Sequence, residues 1–299
     1  MTEYKYLITI FTPTFNRAYT LTKLYKSLLS QTDKNFEWLI IDDGSKDNTE
    51  ELVQSFIDEK NIPIRYIKKE NEGKHTAINI GSELAWGELF FIVDSDDYLT
   101  EDAIKNIKED WEKYKNINDI CGIIYLREHK DKSIIGDKFE KDYILSNKIN
   151  EVVNKKISGD KSEIVKTDII KNYKFPKYKG EKFLGEDVLW LNLSRRYKFL
   201  FVNKAIYVTE YLEDGLSMAG RNLRIKCPYG GMESAKVLMK KDINFKTRFK
   251  NYWLYSTYAF FAKIKLKDFY NESENKIMTT LTIPMGFLLY LYWKYRCRK

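Results

Sequence analysis

Acidic residues cluster at three places where their spacing could do chemistry. The densest is Asp94, Ser95, Asp96 and Asp97, which directly follows the apolar run 89–93 (LFFIV). Three carboxylates within four residues repel one another. Water, surface exposure or a bound divalent cation can supply the compensation. The plain alternative is a solvated turn opening a helix, since Thr100 is a good N-cap and Glu101 and Asp102 suit a first turn. A second pair, Asp42 and Asp43, precedes Gly44-Ser45. A third, Glu186 and Asp187, follows Gly185 and opens an apolar stretch with Val188, Leu189, Leu191 and Leu193. Carboxylates at the start of a buried helix are held ionised by the helix dipole. That suits helix capping, and it equally suits a general base taking a proton from a hydroxyl.

The elements around these clusters follow one rhythm. Residues 6–11, 38–41, 64–67 and 89–93 read as short buried strands. Between them, Leu21, Leu24, Leu28 and Leu29, then Leu52, Val53, Phe56 and Ile57, then Ala77, Ile78, Ile80 and Leu84 recur at helical spacing. Strand, loop and helix repeated with short spacers predict a mostly parallel sheet with helices on both faces. In such sheets ligands bind beyond the carboxyl ends of the strands. The exits TPTFNR (12–17), DDGS (42–45) and DSDD (94–97) should therefore line one edge. There Phe15 offers a face for a base, while Asp43 and the backbone beside Pro13 could meet the base edge. Asp94 could hold ribose hydroxyls, and Asp96, with Asp97, a divalent metal through oxygen ligands. Arg17 and Lys74 are candidate counter-charges for a diphosphate. Each has a duller reading as core, turn former or surface charge; their joint placement favours the site.

Composition narrows the classes. The chain has 299 residues and a net charge of +8, which favours anionic partners or plain solubility. Cys121, Cys227 and Cys297 form no paired framework and read as free thiols in a reducing compartment. Two histidines leave little for a His-based metal site or a Ser-His triad. The start, MTEYKYLITIF, is polar and then directly a strand, so a cytoplasmic location is expected.

Residues 6–100 resemble the nucleotide-binding half of family 2 glycosyltransferases of the GT-A fold. The matching text is ITIFTPTFNR, SLLSQT, FEWLIIDDGSKDNT, NEGKHTAINIG and AWGELFFIVDSDDYL, in family order and spacing. The resemblance implies transfer of a sugar from a nucleotide-diphosphate donor, UDP being the expected nucleotide, with inversion at the anomeric carbon. It implies Mn²⁺ or Mg²⁺ on the diphosphate at the DxD-type motif. By position it puts Phe15 and Asp43 at the base, and Asp94 and Asp96 at ribose and metal. Asp97 is the less certain ligand. NEGKH departs from the family's usual GGK-type text, which loosens the assignment of Lys74. The family's ED-type motif falls on Glu186-Asp187 and implies Asp187 as base, with Glu186 second. Trp190 could face a sugar ring or fill the core; Arg195 and Arg196 could meet phosphate or end a solvated helix.

Strands are further expected at 120–126, 164–165 and 205–211, and the stretch 127–156 has weak periodicity. The expected organisation is a catalytic domain over 1–219, with a nucleotide half (1–100) and an acceptor half (101–219). A helical region over 220–299 follows, with helices near 232–239, 248–263 and 278–295. The apolar run 281–293 contains Pro284 and Gly286 and is short for a membrane span. Its aromatics and the cations Lys294, Arg296, Arg298 and Lys299 suit an interfacial helix on acidic lipid, or else a helix packed on the domain. The expected function is an inverting, metal-dependent transferase at the inner membrane face. Its acceptor would be a glycan or lipid-linked glycan of a bacterial capsule or other surface polysaccharide. Competing readings are a nucleotidyltransferase making a nucleotide sugar, a basic nucleic-acid-binding protein, and a degenerate scaffold.

Overall fold

The computed structural model describes residues 4–210 and 216–296. The expected strand end at Tyr211, the loop residues 213–215, Cys297, and the tail cations Arg298 and Lys299 lie outside the described residues. The chain divides into two compact units, Met1–Phe175 with Ser194–Leu212, and Pro176–Leu193 with Glu213–Lys299. One boundary thus falls near the expected residue 219. The segment Pro176–Leu193, expected in the catalytic domain, groups instead with the C-terminal helices.

In the first unit, β1 (Tyr6–Thr14), α1 (Ala18–Leu29), β2 (Phe36–Asp42), α2 (Thr49–Asp58), β3 (Ile64–Lys68), α3 (Lys74–Leu84) and β4 (Gly87–Ile92) form the expected alternation. Then come β5 (Tyr98–Leu99), α4 (Ala103–Tyr114), β6 (Ile120–Glu128), β7 (Ile144–Ser146), a π-helical turn (Ile149–Asn154), β8 (Lys161–Lys166), the short α5 (Thr167–Ile170) and β9 (Lys198–Val208). Among the described residues, nine strands make one sheet in the order β3-β2-β1-β4-β8-β6-β9-β5, with β7 paired to β9. The sheet is mixed rather than mostly parallel. β1 through β4 pair in parallel, as does β6 with β9. The β4–β8, β6–β8, β5–β9 and β7–β9 pairings are antiparallel. Beyond β4, sheet neighbours are far apart in sequence, so the pattern of a single segment carries no information on strand direction.

The apolar positions pack as their spacing predicts. Leu21, Leu24 and Leu28 of α1 and Val53 and Phe56 of α2 are buried against the sheet. Tyr25, Trp38 and Phe56 stack across α1, β2 and α2, with Tyr25 and Phe56 ring centres 4.1 Å apart. A fully buried acid, Glu37, ties the strands together. It accepts from Thr9 Oγ1 (2.7 Å) and the Trp86 amide (2.7 Å) and pairs with Arg65 at 2.9 Å. At Gly122 the β6 and β8 backbones come so close that a Cβ would lie 1.9 Å from the Ile164 carbonyl oxygen.

The second unit holds α6 (Asp187–Ser194), α7 (Leu216–Lys226), α8 (Pro228–Leu238), α9 (Phe245–Ala262), α10 (Leu266–Asn271) and α11 (Lys276–Arg296). The expected helical end is therefore present, with helices longer than periodicity alone delimits. Met232, Met239, Tyr252, Tyr255, Tyr258, Phe269 and Trp293 form its core. α11 meets α9 closely at Gly286, where a Cβ would lie 2.6 Å from Ser256 Cβ. Cys121 and Cys227 are free, as expected, and both are buried.

The Gly122 contact sets a stability test. Gly122→Ala should push β8 from β6 and lower unfolding free energy by about 1–3 kcal/mol, the usual range for overpacking. Urea unfolding followed by circular dichroism checks this.

Candidate active site

Parallel pairing of β1 with β2 and β4 puts their carboxyl ends on one edge. The exits are also bonded to each other. The Asp43 amide donates to the Thr14 carbonyl (2.8 Å), and the Val93 amide to Phe11 (2.9 Å). The Asn16 amide donates to Ser45 Oγ (2.8 Å), while Asn16 Oδ1 accepts from the Lys46 amide (2.8 Å). Asn16 adopts φ 53°, a left-handed turn that asparagine tolerates. Pro13 is buried within β1 beside Ile41, and Phe15 is 43% exposed. The exposed ring is free of the core and fits a stacking face. Arg17 is half-buried; its guanidinium donates to Tyr19 Oη at 2.7 Å.

The two acids after β2 differ. Asp42 is buried and accepts from the Ser45 amide (2.7 Å) and from Tyr66 Oη, fixing the turn. Asp43 is 5% exposed and holds the 69–73 loop. Its carboxylate accepts from the amides of Glu72 (3.0 Å) and Gly73 (2.7 Å) and from Lys69 Nζ (2.6 Å). A carboxylate has about four acceptor sites, so one remains for an external donor. Gly73, at φ 101°, precedes α3 and delivers Lys74 to the site.

The DSDD exit is the electrostatic centre. Asp94 accepts from Lys74 Nζ at 2.5 Å, and its amide donates to Tyr207 Oη at 3.0 Å. Burial pushes the Asp94 carboxyl up, but Lys74 and Arg127 outweigh it and hold the group below the ordinary carboxylate range. Asp96 is half-buried, and burial and then Asp94 raise its pKa. Asp97 accepts from Tyr207 Oη (2.8 Å) and the Glu210 amide (3.0 Å), with Arg127 at 3.8 Å. Burial and then repulsion from Asp94 push Asp97 up to about 7, against Arg127. Both Asp97 oxygens thus accept from protein donors. Ser95 is buried beneath the turn. The helix expected from Glu101, with Thr100 as its N-cap, begins instead at Ala103 with Asp102 at the N-cap position, after a turn in which the Ala103 amide donates to the Thr100 carbonyl (3.1 Å).

Glu186 and Asp187 belong to the second unit. Asp187 opens α6 as expected, and both acids are half-buried. The Val188 amide donates to the Gly185 carbonyl (3.2 Å). Gly185 leaves space for the acid: a Cβ there would lie 2.3 Å from Asp187 Oδ1. The preceding loop is anchored by Glu181, which accepts from the amides of Tyr229 (2.9 Å) and Gly230 (2.8 Å) at the start of α8. Trp190 is 3% exposed, so it takes the core reading rather than that of a sugar platform.

Three side chains of this centre escape sequence reasoning: Lys69, Arg127 and Tyr207. Arg127 stacks on Tyr207, 4.0 Å from its ring centre, and its Nε donates to the Lys161 carbonyl (3.0 Å). Arg127 ends the apolar strand ICGIIYL just as DSDD ends LFFIV. That signal was in the sequence; its proximity to DSDD comes only through the β6–β9 pairing.

A sheet of this order, flanked by helices and followed by a helical C-terminal region, is an α/β fold of the GT-A class. Residues 9–171, more than half the chain, match the family described as Glycosyl transferase family 2, and the chain belongs to that family. It is similar to the GalNAc(5)-diNAcBac-PP-undecaprenol beta-1,3-glucosyltransferase of Campylobacter jejuni, at 28% identity over 295 residues, covering 95% of this chain and 92% of that protein. Its fold is similar to that of S. aureus TarS 1-349 in complex with UDP-GlcNAc, with a TM-score of 0.67, 16% identity, and coverage of 96% and 91%. It spans 50% of a longer TarS chain. It is also similar to the mannosyltransferase PcManGT of Pyrobaculum calidifontis in complex with GDP-Man and Mn2+, with a TM-score of 0.58, 16% identity, and coverage of 97% and 88%. Family membership sets aside the nucleotidyltransferase and nucleic-acid-binding readings.

The network yields its own prediction. Tyr207→Phe removes the hydroxyl shared by the Asp94 amide and Asp97. Leaving buried partners unmet should lower stability by about 1–3 kcal/mol. Equilibrium denaturation checks this, with Phe at the nearby Tyr98 as the control.

Proposed function

We propose that the chain moves a sugar, with inversion, from a nucleotide-diphosphate donor, UDP being the preferred nucleotide, to a glycan or lipid-linked glycan acceptor. The product would belong to a bacterial capsule or other surface polysaccharide, assembled at the inner face of the membrane. The observation carrying this reading is the DSDD exit, where Asp94, Asp96 and Asp97 are gathered beyond β4 with Lys74, Arg127 and Arg17 as the cations acting on them. UDP-GlcNAc and GDP-Man in the structural neighbours, and the undecaprenol-linked acceptor in the relative's name, support donor and acceptor.

In the proposed site Phe15 carries the base and Asp43, with the backbone beside Pro13, meets its edge. Asp94 takes the ribose, and Arg17 and Lys74 face the diphosphate. Among the described residues no group of three His, Cys, Asp or Glu is arranged to hold a metal. The donor set still fits one: Asp96 is raised by burial and by its neighbour Asp94, an excess of negative charge that a cation relieves. Oxygen ligands favour Mg²⁺ or Mn²⁺, which bind through one or two carboxylates together with substrate phosphates. Asp96, with Asp94, would hold the ion, and when bound it would neutralise charge on the departing diphosphate.

Asp187 is the proposed base, with Glu186 as the second choice. As the acceptor oxygen bonds to the anomeric carbon, the bond from that carbon to the donor phosphate breaks. The hydroxyl proton passes to the carboxylate. No covalent enzyme intermediate is needed for a single inversion.

Two variants test the assignments. Asp96→Ala should weaken UDP binding in the presence of Mn²⁺ at least about tenfold, the scale of one lost charge-assisted contact; calorimetric titration with and without Mn²⁺ reads it, and an unchanged affinity removes Asp96. Asp187→Asn should reduce transfer by about 10²–10⁴ while UDP affinity stays within a factor of two. Retained turnover would shift the base to Glu186.

A further inference from the structure

α11 is uncharged around its whole circumference from Ile277 to Trp293, yet only one side is packed. No charged residue lies between Lys276 and Lys294. Thr279, Thr282, Gly286 and Trp293 form the buried seam, with Thr282 Oγ1 3.1 Å from Ser256 Oγ of α9. The opposite side exposes Ile277 (74%), Leu281 (61%), Leu288 (67%), Leu291 (45%) and Tyr295 (62%). These fall at steps of three, four and seven residues, a continuous stripe along the helix. A contiguous apolar surface of this length marks an interaction site.

We infer that this face of α11 lies in the plane of an anionic lipid bilayer, with Ile277, Leu281, Leu288 and Leu291 entering the acyl boundary. The inference extends the membrane-face reading of the proposed function, and names the surface and its orientation. The charge pattern selects lipid over a second copy of the chain. The stripe ends in Tyr292, Lys294, Tyr295 and Arg296, with Lys294 5.2 Å from the Tyr290 ring centre and Arg296 5.3 Å from that of Tyr292. Amphipathic rings beside cations suit head-group depth, where cations meet anionic lipid. Two such ends brought together in a parallel pairing of copies would repel. Among the described residues no helix is long and apolar enough to cross a membrane; one exposed apolar face on a packed helix suits lying in the interface plane.

Flotation of the full chain with phosphatidylcholine vesicles, and with vesicles containing phosphatidylglycerol, tests this. Wild type should float with the anionic vesicles and much less with the neutral ones. Leu281→Asp with Leu288→Asp, both exposed and outside the seam, should reduce flotation by more than about tenfold at unchanged melting temperature. Lys294→Glu with Arg296→Glu should remove the preference for anionic lipid. Wild type that does not float, or a Leu281→Asp/Leu288→Asp protein that floats like wild type, overturns the inference. So does sedimentation showing a wild-type dimer that this double variant dissociates, because the face would then belong to a second copy. Transfer from a nucleotide sugar to a water-soluble acceptor is measured in parallel. Transfer without flotation defeats only the lipid inference; flotation without transfer from any donor defeats only the enzymatic reading.

Discussion

The structure depends on how three carboxylates are tolerated at the end of a buried strand. Asp94, Asp96 and Asp97 sit where β4 leaves the core, and their charged forms are penalised first by lost solvation. Lys74 comes from the start of α3 and Arg127 from the end of β6 to offset them. Tyr207 of β9 adds a hydroxyl that accepts from one acid's backbone and donates to another's carboxylate. Four separate elements thus converge on one turn. The balance they reach is incomplete: burial and the neighbouring Asp94 still raise Asp96 and Asp97, although Lys74 and Arg17 act against this at Asp96 and Arg127 at Asp97. A strand exit built only for stability would gain by replacing one acid with a neutral residue, since a buried charge without full pairing is costly. Retaining the surplus makes sense if a cationic ligand completes the balance.

The same reasoning separates holding from binding at the second exit. Asp42 and Asp43 are adjacent and both buried, yet neither is idle. Asp42 closes its own turn, and Asp43 reaches forward to the 69–73 loop. That reach sets the backbone immediately before Lys74, and so the approach of Lys74 to Asp94. An acid expected to read a base also fixes the position of a cation two loops away. Loss of Asp43 would therefore act on both.

Most of the nucleotide half was legible because its information is local. Strands of four to nine residues followed by helices at 3.6-residue spacing declare themselves, and parallel order puts their exits together. The acceptor half was legible in its strands but not in its directions. β8 enters antiparallel between β4 and β6 from some seventy residues away, a pairing set by complementary buried faces rather than by either segment's pattern. For the same reason Arg127 and Tyr207 were invisible as partners of DSDD, although Arg127 carried the signature of a polar strand exit. Asp97 was the least certain ligand in the sequence, and a motif that counts carboxylates carries no sign of its hydrogen bonds from Tyr207 and the Glu210 amide. Trp190 was balanced between sugar platform and core until burial placed it in the core.

The division into units changes what the C-terminal helices are for. Pro176–Leu193, which carries Glu186 and Asp187, groups with 213–299 and not with the sheet. Its contacts explain that grouping. Glu181 satisfies the first amides of α8, Tyr178 donates to Glu233 of the same helix at 2.5 Å, and Gly230 admits the Phe183 backbone where a Cβ would sit 2.3 Å from its carbonyl oxygen. α8 is in turn packed in the core that α9 and α11 share through Tyr252, Tyr258 and Trp293. The candidate base is thus held by the unit that exposes the apolar face of α11. The loop that leads to the proposed base at 187 is anchored on the C-terminal helices through Glu181 and Tyr178. A chain cut before α8 would lose the partners of Glu181 and Tyr178, and with them the support of the loop that leads into α6.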